Sequence, residues 1–181
     1  MKNNLLDWHK NAVNKSQHLL GISNLMRAPR LKKIVVNAGL KEAVSNSKAV
    51  SNAIDLLGCI TGQLPVKTFA KKSIAGFKIR EGMPIGACVT LRGAKMCNFL
   101  YKLVNVVLPK IRDFQGLKKK MDGQGNYNLG LSSIEFFPEG ERSGVTEVNL
   151  GLNITIVTSA VTDEEAYIFL KALGMPFIRE K

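Results

Sequence analysis

The sequence predicts an α+β fold: a two-layer sandwich in which a mostly antiparallel sheet carries helices on one face and leaves the other face open. Three observations predict it. Several short segments alternate apolar and polar residues, which gives a strand one face of each kind. Three longer segments repeat their apolar residues at helical spacing, with one stripe each. The strands need cover on one side only, and each helix has one face with which to supply it.

Residues 3–20 (NNLLDWHKNAVNKSQHLL) read as a polar, weakly amphipathic helix with Leu5, Trp8 and Ala12 on one side. So little apolar area suits a helix at a domain edge or on a partner. Residues 1–27 are therefore read as an N-terminal helical arm and residues 28–181 as a single domain. His9 and His18 lack the i, i+4 spacing of a helical metal pair and read as ordinary surface histidines.

Pro29 breaks the chain before LKKIVVNAGL, where Ile34, Val36, Ala38 and Leu40 form an apolar strand face. Lys33, Val35, Asn37 and Gly39 form the opposite one. Over residues 47–62 the period changes: Val50, Ala53, Ile54 and Leu57 make a core-facing helical stripe, with Ser45 or Ser47 as cap and Gly62 at the end. Gln63 follows, ahead of a strand over residues 64–70. Strict alternation returns at Ile85, Ala87, Val89 and Leu91, with Gly86, Cys88, Thr90 and Arg92 on the other side. Residues 94–108 form a second helix with a stripe of Met96, Phe99, Leu100, Leu103 and Val107, stopped by Pro109. Such a stripe is far more often core than a cofactor site.

Residues 110–130 are irregular and basic. The Gly123-x-Gly125 pair lacks the strand-then-helix setting and third glycine of a dinucleotide fingerprint. Lys118, Lys119 and Lys120 suit phosphate or plain solvation, and the sequence does not choose between them. The chain returns to the sheet over residues 129–137, and an acidic connection leads to a strand over residues 149–158. There Leu150, Leu152, Ile154 and Ile156 face inward, while Asn149, Gly151, Asn153 and Thr155 face outward. In the last helix Thr162 is the cap, Glu165 completes a capping box, Ala166, Phe169, Leu170 and Leu173 form the stripe, and Gly174 ends it.

The chain has 181 residues, 45% of them hydrophobic, enough for a substantial core and unlike a disordered polycation. Its net charge of +12 points to nucleic acid or another anionic surface. Residues 135–181 hold four cations and eight acids, so the anion-binding surface is expected in the first three quarters. Cys59, Cys88 and Cys97 form no CxxC pair and read as free thiols of a reducing compartment, with Cys59 and Cys97 as small buried apolar groups. No apolar run approaches membrane-spanning length, and no signal or transit peptide is recognisable.

Two features suit RNA. Residues 67–80 (KTFAKKSIAGFKIR) hold five cations and no acid, and Gly76, Gly82 and Pro84 interrupt the segment around them. A mobile basic loop bearing Phe77 suits phosphates and exposed bases, although a solvated hairpin tip is the plain alternative. On the open sheet face stand Asn37, Thr90, Arg92 and Asn153, with Gln63 near an edge. None is an acid, and such a face suits 2′-hydroxyls and base edges in a shallow RNA minor groove. An ordinary solvated sheet face is the alternative there.

The segments APRLKKIVVNAG, ITGQLPVKTFAKKSIAGFKIREGMPIGACVTLRG, LPKIRDFQGL, DGQGNYNLG, NITIVTSAVTDEEA and KALGMPFIREK closely resemble the universal L-five family of large-subunit ribosomal proteins, in its bacterial type. The KSIAGFKIREGMPIG run is the most specific of them, and the resemblance weakens before residue 28. It implies a non-enzymatic ribosome constituent in the central protuberance, in a bacterial cytoplasm or an organelle's matrix or stroma. It implies that the open face binds 5S rRNA through Asn37, Gln63, Thr90, Arg92 and Asn153. The family usually has aspartate at Asn153, so a contact needing a carboxylate would be lost. It further implies that Lys71, Lys72, Ser73, Phe77, Lys78 and Arg80 reach P-site tRNA, and that large-subunit rRNA and a small-subunit head protein at the intersubunit bridge are neighbours. No cofactor or metal is implied. PEGERSGVTEVN departs from the family's usual acidic connection, and nothing is carried over there.

An RNA-processing enzyme is the rival class. Asp7, Glu42, Asp55, Glu81, Asp113 and Asp122 are scattered, without the carboxylate cluster that metal or acid–base chemistry needs. A membrane-surface protein is disfavoured because no helix pairs a basic face with a large apolar one.

Overall fold

The computed structural model describes residues 2–40, 47–139 and 150–178. The predicted fold class is found: α+β, with an antiparallel five-stranded sheet and helices. The strands are β1 (Leu31–Gly39), β2 (Val66–Phe69), β3 (Pro84–Leu91), β4 (Tyr127–Leu131) and β5 (Leu152–Thr158), in the spatial order β2-β3-β1-β5-β4. The helices are α1 (Lys2–Leu20), α2 (Ser47–Thr61), α3 (Gly93–Lys102), a short α4 (Leu108–Lys110) and α5 (Asp163–Ala172). Two compact units share the chain. One holds Met1–Ile34, Arg92–Asn128 and Thr155–Lys181, and the other Val35–Leu91 and Leu129–Ile154.

In the second unit, α2 lies against β3 and β2. The expected alternation sets the packing: Val36, Ala38, Ala87, Val89, Leu91 and Ile154 are buried, and so is the α2 stripe of Val50, Ala53, Ile54 and Leu57. Each such side chain contributes about 1.5–3 kcal/mol when fully buried. β2 is shorter than expected, and its side chains are mostly exposed. Gly86 has a steric role. A Cβ there would collide with the Ala38 carbonyl oxygen of β1 and press on the Thr68 hydroxyl.

In the first unit, α1 packs on α5 and α3. Ala12 and Ser16 are buried, and the Ser16 hydroxyl donates to the Val13 carbonyl at 2.8 Å. Trp8 meets Tyr101 edge-on, with ring centroids 5.7 Å apart. His9 is not the surface histidine that its spacing suggested. Its Nε2 accepts from the Leu31 N–H at 3.4 Å, and its ring stands edge-on to Phe169. Burial lowers its pKa from 6.5, and the nearby Arg30 charge adds to the effect.

Pro109 does not stop the second predicted helix. The segment widens into a π-helical turn at Leu103–Val107 and then re-forms as α4, with Pro109 in that last turn. The wider turn accommodates a residue without an N–H: the Leu108 N–H reaches back to the Leu103 carbonyl, and the Asn105 amide donates to the Tyr101 carbonyl at 2.9 Å. The stripe of Met96, Phe99, Leu100, Leu103 and Val107 is buried as expected.

β4 starts two residues earlier than expected and is shorter, because Tyr127 and Leu131 are its buried anchors. Ile134 and Phe137 are buried beyond its end. β5 begins at Leu152, and Asn149 with most of the acidic connection lies outside the described residues. Thr162 caps α5 and accepts from the Glu165 N–H, while Glu165 accepts from the Val161 N–H at 3.2 Å. All three cysteines are free. Cys97 is buried, Cys88 is partly so, and Cys59 is exposed, against expectation, because it falls on the solvent side of α2.

Two outcomes test this packing. Gly86→Ala is expected to destabilise the fold by about 1–3 kcal/mol, the usual cost of forcing an extra methyl into a packed site, read as a lowered urea midpoint. Protonating His9 removes an acceptor and buries a charge. Its folded pKa lies below 6.5, so the unfolded chain takes up the proton first as pH falls. Stability should therefore decline on acidification below pH 6.5, and His9→Gln should flatten that part of the profile of Tm against pH.

Candidate nucleic-acid interface

The open side of the sheet is set by what the buried side excludes. In β1, Val36 and Ala38 are fully buried, so Asn37 between them points the other way and is exposed. In β3, Val89 and Leu91 are buried and Thr90 is half-buried on the opposite side. In β5, Leu152 and Ile154 are buried and Asn153 is exposed, with its Oδ1 over Gly130 of β4.

Gln63 occupies a different position. It follows the Gly62 turn that ends α2, and its Nε2 donates to the Thr90 backbone carbonyl at 3.1 Å. The Thr61 hydroxyl donates to the Leu57 carbonyl at 2.6 Å and lies 3.1 Å from the Gln63 carbonyl. Gln63 thus ties the α2 exit to β3 beside Thr90 and leaves its Oε1 as its remaining polar group. The second unit therefore carries Asn37, Gln63, Thr90 and Asn153. Arg92 is the first residue of the next segment and belongs to the other unit; it is exposed, with extended backbone, at the N-cap of α3.

Sequence reasoning did not select Asn128 or pair it with Thr155. The Thr155 hydroxyl donates to Asn128 Oδ1 at 2.7 Å between β5 and β4. The signal was present in β4, where Tyr127 is buried and Asn128, next to it, must face outward.

The basic loop has more internal structure than its glycines suggested. Ile74 and Ile79 form an antiparallel bridge, their N–H groups donating to each other's carbonyls at 2.9 and 3.2 Å. One 3-10 turn, Ala75–Phe77, fills the tip, and Lys78 follows in left-handed backbone with φ 54°. The Ser73 hydroxyl accepts from the Glu81 N–H at 2.9 Å, and Gly82 turns the chain back so that its N–H reaches the Ala70 carbonyl at 3.0 Å. Because the backbone bonds to itself, the side chains are turned outward. Lys71, Lys72, Ser73, Lys78 and Arg80 are exposed, and Phe77 is 70% exposed. The four cations have no ion-pair partner among the described residues.

The Gly123-x-Gly125 segment has a structural role. Asp163, in the first turn of α5, accepts the Gly123 and Gly125 N–H groups at 3.1 and 2.9 Å. Asp122 closes the same loop on the N–H groups of Gln124 and Asn126, and its side-chain bond to the Asn126 amide is the first cause of its lowered pKa. The donors that would face a phosphate are thus occupied by carboxylates. Among the described residues no group of three or more His, Cys, Asp or Glu is placed to hold a metal ion, and no helix is long and apolar enough to cross a membrane.

A family model described as ribosomal protein L5 matches residues 24–80, and one described as the ribosomal L5P family C-terminus matches residues 84–177. The large ribosomal subunit protein uL5 of Geobacter sulfurreducens is 53% identical over 171 residues, covering 94% of this chain and 95% of that protein. The uL5 of Halothermothrix orenii is 58% identical over 155 residues, covering 85% and 86%. The uL5c of Mesostigma viride is 52% identical over 169 residues, covering 93% and 91%.

Proposed function

The chain belongs to the ribosomal protein L5 family, structural and non-enzymatic constituents of the large ribosomal subunit in bacteria and organelles, and on that ground we propose that it holds 5S rRNA on its open sheet face. One observation carries the reading. Asn37, Thr90 and Asn153 all stand on the side of their strands opposite the buried residues, and none is an acid. Amides and a hydroxyl both donate and accept, as ribose hydroxyls and base edges require. Gln63 positions the Thr90 end of the strand, and Arg92 adds a planar cation suited to phosphate or a guanine edge. At Asn153 an amide replaces the family's usual carboxylate, so this contact is a neutral hydrogen bond.

The basic loop is the second contact. Lys71, Lys72, Lys78 and Arg80 meet the phosphates of P-site tRNA, Ser73 braces the loop, and Phe77 offers a face for a base or ribose. Such a position belongs to the central protuberance, beside a small-subunit head protein and large-subunit rRNA. Among the described residues no cluster of acids is placed for metal-assisted chemistry on RNA, and Asp122 and Asp163 are bonded to backbone N–H groups of one glycine loop.

Arg92→Ala should weaken 5S rRNA binding by about 1–3 kcal/mol at matched salt, the scale of one lost specific contact; unchanged affinity places the RNA elsewhere. Neutralising Lys71, Lys72, Lys78 and Arg80 together should weaken tRNA engagement by reconstituted ribosomes and spare 5S rRNA binding. Equal loss of both would merge the two sites into one.

A further inference from the structure

A second aromatic and basic site, made of residues other than those assigned above, lies in the first unit. The C-terminal tail is laid against residues 116–117: the Leu117 N–H donates to the Pro176 carbonyl at 2.8 Å, and the Ile178 N–H to the Leu117 carbonyl at 3.0 Å. Gly116 permits that approach, since a Cβ there would meet the Ile178 backbone nitrogen at 3.1 Å. The tail thereby places Phe177 beside Tyr167 of α5, with centroids 4.9 Å apart. A cavity of about 500 Å³ opens there, lined by Tyr167, Pro176, Phe177, Lys119 and Lys171 among others. That volume lies within the range of small-ligand sites.

The charges on this cavity are one-sided. The Lys119 ammonium lies 4.8 Å from the Tyr167 ring centroid, and that of Lys171 lies 5.7 Å from it. A neighbouring cavity shares Tyr167 and Lys171 and adds Lys15 of α1. Among the described residues no carboxylate lines either cavity, and none of these lysines has an ion-pair partner. Gathering cations around one aromatic ring costs Coulomb energy, which a bound polyanion relieves. An aromatic ring face beside a cationic rim matches a base with its flanking phosphates.

We propose that the cavity lined by Tyr167 and Phe177 seats an unpaired nucleotide of ribosomal RNA, with Lys15, Lys119 and Lys171 on its flanking phosphates. The inference rests on the ribosomal reading for the identity of its polyanion, but not on the sheet face or the basic loop. Base and aromatic ring supply the apolar contact, and the two ammoniums move from the ring face to phosphate as the base enters.

The test uses the full chain and a single-stranded A10 oligoribonucleotide, with ultraviolet crosslinking mapped by mass spectrometry and affinity read by fluorescence anisotropy. An adduct is expected in the peptide containing Tyr167 or Phe177. Combining Lys119→Ala with Lys171→Ala should weaken A10 binding about tenfold, and so should Tyr167→Ala, whereas Tyr167→Phe should keep it. Circular dichroism melting checks that the Tyr167 variants fold, and the exposed lysine variants keep the test decisive if they do not. Isolated 5S rRNA should bind the lysine variant as it binds the parent. Parental A10 affinity in the lysine variant, or adducts confined to residues 67–80, would overturn the proposal. So would displacement of A10 by a poly-glutamate decamer as effective as unlabelled A10, which would mark the cleft as a generic polyanion surface or an acidic-peptide site. Loss of 5S rRNA binding in Arg92→Ala bears only on the sheet face and leaves this outcome independent.

Discussion

The interaction on which the rest depends is the burial of one row of side chains along the sheet. Ile34, Val36 and Ala38 of the central strand are fully removed from solvent, as are Leu91 and Ile156. Period-two geometry then leaves no freedom for their neighbours. Asn37 must face away from the core because Val36 and Ala38 face into it, and a one-residue slip would bury an amide and expose two aliphatic groups. The apolar row therefore specifies the polar one, and the strength of that specification is the strength of the core.

A second constraint governs the charges. In the last quarter of the sequence acids outnumber cations, and two of these carboxylates serve the fold itself. Asp163 holds two backbone N–H groups of the loop before β4, and Glu165 holds the Val161 N–H and approaches Arg27 at 3.8 Å. They act as internal acceptors at the start of α5, where the helix dipole also favours negative charge. In the other unit, Lys71, Lys72, Lys78 and Arg80 have no ion-pair partner among the described residues and stand ready for an external anion.

Much of this was legible in the sequence because it depended on local periodicity. The stripes of α2, α3 and α5, the Thr162 cap and the strand faces around Asn37, Thr90 and Asn153 are all decided within a few residues. What escaped depended on distant partners. Cys59 looked interior until the orientation of α2 was fixed, and His9 looked exterior until Leu31 and Phe169 reached it. Pro109 looked like a terminator because its cost was judged against an ideal α-helix, whereas a π turn had already loosened the backbone before it. The role of Gln63 was visible only by place. That its amide grips the Thr90 carbonyl follows from how β3 passes the α2 exit, which no spacing encodes.

The two glycine-containing loops show why composition alone does not identify a phosphate site. Around Gly123 and Gly125 the backbone donors converge, as a phosphate cradle requires, but Asp163 stands in front of them, with Thr158 donating to the Gly125 carbonyl at 2.7 Å behind. Around Gly76 and Gly82 the N–H groups of Ile74, Phe77, Lys78, Ile79 and Gly82 bond to the loop's own carbonyls and that of Glu81 to the Ser73 hydroxyl, and the anion-seeking groups are side chains on the outside. In the first loop glycine permits close approach, since a Cβ on Gly125 would press on the Ala160 carbonyl at 2.9 Å. In the second it permits reversal of the chain, so that a short hairpin can display four cations. The same residue type thus closes one loop against anions and turns the other toward them: a carboxylate of the chain takes the N–H groups of the first, and cationic side chains stand outside the second.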